Sequence, residues 1–186
     1  MTIVKTFVFA ALFGLACMIT GCGGEALALS AIEDEIGGGG QSGEDRFIPQ
    51  RQFQLGDLEK VTIEVGGEKF DTWVMDTLPK MQEGLMFVQD EDIDKDEAMI
   101  FVYPEPQPMS FWMRNTFIPL DIIYVSEDKK ILNSYTMIPL DERPNQYPSQ
   151  GSAKYAIEFE EGAIERLDLK PGMIVTIPDS VQYKGR

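Results

Sequence analysis

The sequence predicts a mainly β chain, a single compact β-barrel or sandwich domain with one or two short helices. Three observations carry that expectation. Several runs alternate apolar and polar residues with period two. Short apolar runs are separated at close intervals by proline and glycine, of which the chain holds 11 and 17. No segment sustains a long helical period, and no internal repeat is visible.

The elements follow in order. Leu58 to Val65, "LEKVTIEV", alternates cleanly, and after Gly66-Gly67 the run "EKFDTWVM" resumes a strand. Two strands flanking Gly-Gly read as a tight hairpin. Thr77 caps a short helical segment, "TLPKMQEG", with Pro79 tolerated in the first turn and Gly84 ending it. "MIFVY" is a continuous apolar strand, stopped by "PEPQP". "SFWMRNTFIPLDIIYV", Ser110 to Val125, supplies the next one or two strands, "SEDKK" turns, and "ILNSYTMI" pairs back. Pro139 to Ser152 reads as a long polar loop. "KYAIEF" is a strand, "EEGAIERLDL" a short helix and "PGMIVTIP" the closing strand.

Residues 1–21 read as a signal peptide: Lys5 gives a positive start, and Phe7 to Ile19 is an apolar run. A spanning helix needs about 20 apolar residues, and this run stops at Thr20-Gly21. "ITGC" resembles the lipobox of bacterial lipoproteins, in which cleavage leaves Cys22 as a lipid-bearing N-terminus. Cys17 then departs with the signal, and the mature chain has no cysteine pair for a disulfide. Several acyl chains on one cysteine hold a protein stably to a membrane. Gly23 is not the aspartate that the resemblance associates with inner-membrane retention, so an outer-leaflet or outer-membrane site is expected. Residues 22–46 are a flexible acidic tether with Gly37 to Gly40 at its centre, and residues 47–186 form the β domain.

Composition excludes several classes. With 31 acidic and 16 basic residues the chain carries −15, or −16 once Lys5 is removed. That sign repels nucleic acid. There is no histidine, which removes the commonest general base and metal ligand. With Cys22 acylated, thiol nucleophiles and soft-metal sites are removed too. Catalysis would fall to carboxylates, lysine, tyrosine or hydroxyls. No cofactor and no metal is assigned. The run Asp90 to Glu97, "DEDIDKDE", fails as an EF-hand, because Lys95 and Phe101 stand where that loop needs glycine and glutamate. It reads as a solvated acidic turn.

The candidate site lies in "SFWMRNTFIPLDIIYV". In an extended run Trp112 and Arg114 point one way, and Phe111, Met113 and Asn115 the other. Asp121 is flanked by apolar residues, so it is either exposed or buried with a partner. Arg114 is the nearest partner in sequence. Two readings stand. One is a buried Arg114–Asp121 brace fixing the corner from Thr116 to Pro119. The other is a pocket in which Trp112 supplies a flat wall and Arg114, Asn115 and Asp121 orient a ligand.

"GLM" (Gly84 to Met86), "MIFVY", "FWMRNTFIPLDIIYV" and the later "AIEFEEG…PGMIV" resemble, in this order and spacing, the bacterial and archaeal family called domain of unknown function 192, over about Leu58 to Ile177. The resemblance implies a compact mainly-β domain, often exported, with no activity assigned to the family as a whole. It places Trp112, Arg114, Asn115, Thr116, Pro119, Asp121 and Glu158 on shared polar and aromatic positions. Ala98, Arg114, Val88 and Met81 depart from the residues usual in the family. Basic residues are frequent near "GLM" in relatives, so an anionic-ligand site there is weakened. By alternation alone, Tyr155, Ile157 and Phe159 face inward and Glu158 is a solvated strand carboxylate; only the resemblance makes it a site candidate.

The reading that results is an envelope lipoprotein whose β domain binds a small polar ligand or an envelope partner. A second is a hydrolase of envelope glycan with Asp121 and Glu158 as paired carboxylates, which would have to stand about 5–5.5 or 6.5–9.5 Å apart. A third is a structural or interaction module.

Overall fold

The computed structural model describes residues 47–185. The expected signal peptide, lipid-bearing Cys22 and tether lie outside the described residues. Eight strands and two short helices follow: β1 (Lys60–Val65), β2 (Glu68–Met75), α1 (Leu78–Glu83), β3 (Glu97–Gln107), β4 (Ser110–Phe111), β5 (Leu120–Val125), β6 (Ile131–Met137), β7 (Tyr147–Pro148), β8 (Ala153–Glu160) and α2 (Ala163–Arg166). Six strands make one sheet in the order β1-β2-β3-β8-β5-β6, and β4 and β7 pair separately. All pairings are antiparallel except β2 with β3. That parallel step follows from the crossover through α1, because parallel neighbours need a long connection.

The expected hairpin forms at Gly66-Gly67, with φ of +60° and +87° that suit glycine and match the twist of the flanking strands. The sheet does not close into a barrel. The expected closing strand, Pro171 to Pro178, reaches both sides of the sheet, but through isolated bridges only: Glu64 with Thr176 and Lys130 with Ile174. The segment is bounded by prolines, and it spends Val175 and Ile177 on packing instead of extending a ladder. The "MIFVY" strand, β3, also runs on to Gln107 instead of stopping at Pro104. Its ladder with β8 is irregular between Val102 and Gln107, so the prolines sit where few ladder bonds are required. The Pro139–Ser152 loop contains β7.

Both faces of the sheet are covered. Val74, Ile100, Ile123, Ile157 and Phe159 pack on one face under α2 and the Leu167–Val181 segment. Trp73, Met99, Phe101, Ile122 and Tyr124 pack on the other, under Ile48 to Leu58, Leu85 to Ile93 and Met109 to Ile118. All six residues of β5 are buried for this reason. Each fully buried large side chain contributes about 1.5–3 kcal/mol, so a strand walled on both sides gains twice from one set of ladder bonds.

Candidate ligand-binding site

The site lies on the second face, between α1 and the segment after β4. α1 begins after the extended Thr77, carries Pro79 in its first turn and ends at Gly84. Gly84 has φ +49° and ψ −130°, a backbone open to glycine alone, and an added Cβ would stand 3.2 Å from Phe101 Cζ. The Gly84–Met86 turn is pinned from below by Arg51. Its buried guanidinium donates to the carbonyls of Gly84 (2.8 Å), Met86 (2.7 Å) and Phe53 (3.0 Å). The Glu83 carboxylate accepts from the amides of Gln52 (2.6 Å) and Phe53 (2.9 Å). Five hydrogen bonds thus fix one wall.

The facing wall departs from the sequence expectation. The extended run ends at Phe111 rather than Asn115. The Met113 amide donates to Asp141 O and the Thr116 amide to Met113 O, while Asn115 takes φ +54°. Asparagine is one of the few side chains that tolerates this conformation. The alternation survives the change. Met113 is fully buried, whereas Trp112 is half exposed and the Arg114 guanidinium lies 6.0 Å from its ring centroid.

The floor is Glu158 on β8, paired with Met99 of β3 and Ile122 of β5. It is 4% exposed. Among the described residues no hydrogen bond or ion pair reaches its carboxyl, and burial alone pushes it up to about 8. The solvated strand carboxylate expected from alternation is therefore corrected: the covering layer buries both faces of β8. Near it the Tyr103 hydroxyl is pushed up to about 12, by burial first and then by Glu158. A neutral carboxyl at pH 7 offers one O–H donor and an acceptor oxygen.

Glu158, Gly84, Phe101, Trp112, Arg114 and Thr116 line a cavity of about 20 Å³, room for a single water. It shares Met81, Gln82, Phe111 and Trp112 with a wider cleft of about 280 Å³ that also touches Leu78, Tyr103 and Ser110. A larger cavity of about 440 Å³ lies elsewhere, beside Pro104, Tyr155 and Asp179. Its one lysine, Lys154, already donates to Pro104 O at 2.6 Å.

Of the residues singled out from sequence, Trp112, Arg114, Thr116 and Glu158 come together here. Asn115 does not line the cavity; it forms the turn, and its carbonyl accepts from Phe87 N at 2.8 Å. Asp121 lies on the opposite face of the sheet, in register with Phe159, while Glu158 pairs with Ile122. Its carboxylate accepts from Thr136 Oγ1 (2.6 Å), Gly162 N (3.0 Å) and Ile164 N (2.8 Å). The Arg114–Asp121 brace is thus absent: Asp121 ties β5 to the start of α2, with Arg114 exposed on the other side. The paired-carboxylate arrangement fails for the same reason, because a sheet separates the two groups. Sequence reasoning missed Gln82, Tyr103, Phe111 and Arg51 as makers of the site. The "GLM" motif marked the turn that Arg51 holds, but nothing in "RQFQLGD" shows a periodicity to flag the arginine. The Asp90–Asp92 run is a single 3-10 turn, and Asp92 is buried, accepting from Gln89 N, rather than solvated.

Fold and site together define a mainly-β domain in which a largely buried carboxyl, without a partner among the described residues, lines a water-sized cavity that adjoins a wider cleft. The chain belongs to the family DUF192, described as an uncharacterized ACR, whose model matches residues 61–177. A solved chain of unknown function from Novosphingobium aromaticivorans is 32% identical over 76% of this chain and all of that one, with a TM-score of 0.61. A second, from Sinorhizobium meliloti and described as a proposed transcription regulator, is 24% identical over 63% of this chain and 93% of its own, with a TM-score of 0.57; that likeness concerns fold alone. No curated protein matches the chain.

Proposed function

We propose that this is an envelope lipoprotein, anchored through Cys22, whose β domain binds a small polar organic ligand in the cleft between α1 and Trp112. The observation that carries the binding reading is Glu158. A polar group buried without a partner costs free energy, and a ligand that hydrogen-bonds it recovers that cost on binding. The walls narrow the ligand class. Phe111, Trp112, Tyr103, Met81 and Leu78 favour an apolar or planar body, and Gln82 offers an amide. At the floor, a neutral Glu158 meets an acceptor such as a carbonyl or hydroxyl oxygen. A primary amine would draw its proton and form an ion pair. Chemistry on the ligand is not part of the reading: Glu83 is held by the Gln52 and Phe53 amides, Arg114 stands exposed at the rim and the Tyr103 hydroxyl is pushed up to about 12.

A thermal-shift screen of the Arg46–Arg186 fragment against sugars, amino acids and small primary amines tests this. Hits raise the melting temperature of the wild type and of Asp121→Asn, but not of Glu158→Leu. Equal shifts in Glu158→Leu would remove the cleft from the account.

A further inference from the structure

Three loops meet at one end of the domain and expose large apolar side chains. They are Gly84–Val88, Trp112–Ile118 and Ile138–Asp141. Backbone bonds join them: Phe87 N to Asn115 O at 2.8 Å, Leu140 N to Thr116 O at 3.0 Å and Met113 N to Asp141 O at 2.9 Å. The Phe87 and Phe117 rings meet edge to face at 6.2 Å. Trp112, Phe117, Ile138 and Leu140 are 51%, 44%, 60% and 56% exposed. Among the described residues, three of the six non-glycine positions with positive φ fall on these loops, namely Phe87 (68°), Asn115 (54°) and Leu140 (59°). Phenylalanine and leucine rarely adopt that backbone, and such strain persists only where the surroundings enforce it. The Ile138–Asp141 loop is enforced by Asp141, which accepts two bonds from the Arg143 guanidinium and one from Tyr147 Oη. Strained backbone thus holds apolar side chains outward, where collapse would hide them.

The described chain begins at this same end. Arg51 grips Gly84 O and Met86 O, so residues 47–53 enter beside the Phe87 loop. Between Cys22 and Phe47 lie 24 residues, Gly23 to Arg46. Even a fully extended chain of that length spans no more than about 80–85 Å. An anchor on Cys22 therefore keeps the apolar end within reach of its own bilayer at an effective concentration of about millimolar, where a weak contact suffices.

We infer that this three-loop tip seats in the interfacial layer of a lipid bilayer, with Trp112 and Phe117 at headgroup depth and Ile138 and Leu140 beside them. Trp112, whose indole joins an apolar ring to an N–H donor, favours that layer, and Phe117 adds apolar contact. Exposed charges at the rim are Arg114, Glu142 and Arg143, the last already paired with Asp141. Seating therefore rests on apolar contact rather than on attraction to anionic lipid, as an acidic protein requires. The inference relies on the lipoprotein reading only for the source of the bilayer.

The test supplies the anchor artificially. The Arg46–Arg186 fragment holds the whole described core, and the N. aromaticivorans chain, matched over its full length, shows that this domain stands alone. It carries an N-terminal Gly/Ser linker as long as the natural tether, ending in a hexahistidine tag bound to nickel-chelating lipid in brominated phosphatidylcholine vesicles. Trp73 is buried in the core, so quenching by bromine reports Trp112. Expected is at least a twofold loss of Trp112 emission, falling below 20% loss in Phe117→Ser/Leu140→Ser and when the tag is moved to the C-terminus. Equal quenching in the double variant would overturn the inference, as would no quenching with the N-terminal tag. A dimer in sedimentation that the double variant dissolves would overturn it too, by assigning the tip to a second copy. Failure of Cys22→Ser to release the natural protein would strike the anchor reading and leave this result standing.

Discussion

At the residue scale, two carboxyls of similar burial have opposite parts. Asp121 is saturated by three donors that join β5, β6 and α2. Asp121→Ala removes them all and strips two part-buried amides of their acceptor, which costs about 2–3 kcal/mol. Urea denaturation checks that figure, and ligand affinity per folded molecule stays unchanged. Glu158 behaves the other way. Its folded value of about 8 lies above the ordinary 4.5. Between those values the unfolded chain releases a proton that the folded chain keeps, so stability falls as pH rises through that window. Below about pH 4 the penalty vanishes, and above pH 8 it is constant at about 4–5 kcal/mol. Glu158→Gln is accordingly about as stable as wild type at pH 4 and several kcal/mol more stable at pH 8, by urea melts at the two pH values. What was legible of these residues in the sequence divides on locality. Alternation placed Trp112 and Arg114 together, because that depends on immediate neighbours. Asp121's partners lie 15, 41 and 43 residues away, and proximity in sequence pointed to Arg114 instead.

At the element scale, the strands were mostly legible, since β1, β2, β5, β6 and β8 each carry a period-two or continuous apolar run between turn residues. The open sheet and the parallel step between β2 and β3 were not, because strand order is set by which faces the connections cover. The site's walls depend on the Arg51–Gln54 segment, which the sequence places within the β domain but to which its pattern assigns no element. Removing the Arg51 guanidinium frees Gly84 O, Met86 O and Glu83 at once. Arg51→Ala should lower stability by about 3–5 kcal/mol. Hydrogen exchange localises the effect: amides of Leu85 to Val88 lose protection well before those of β3 and β8. Uniform loss across the sheet would mean that Arg51 supports the whole fold and not this wall.

At the scale of the whole molecule, the acidic chain, its lipobox-like "ITGC" and the cleft beside Trp112 are what support the proposed binding module held at the envelope. Cys22→Ser should move the protein from the membrane to the soluble fraction on fractionation; unchanged membrane association would contradict the anchor. The central claim concerns the cleft, and amide chemical-shift mapping of the Arg46–Arg186 fragment tests it most directly, with benzylamine and benzamide as probes carrying an amine or a carbonyl on a planar body. The account predicts saturable shifts at Gln82, Gly84, Leu85, Phe111 and the Trp112 indole, lost in Glu158→Leu, which should fold at least as stably as wild type. Shifts that gather instead around Tyr155 and Val181, or that persist undiminished in Glu158→Leu, would contradict it.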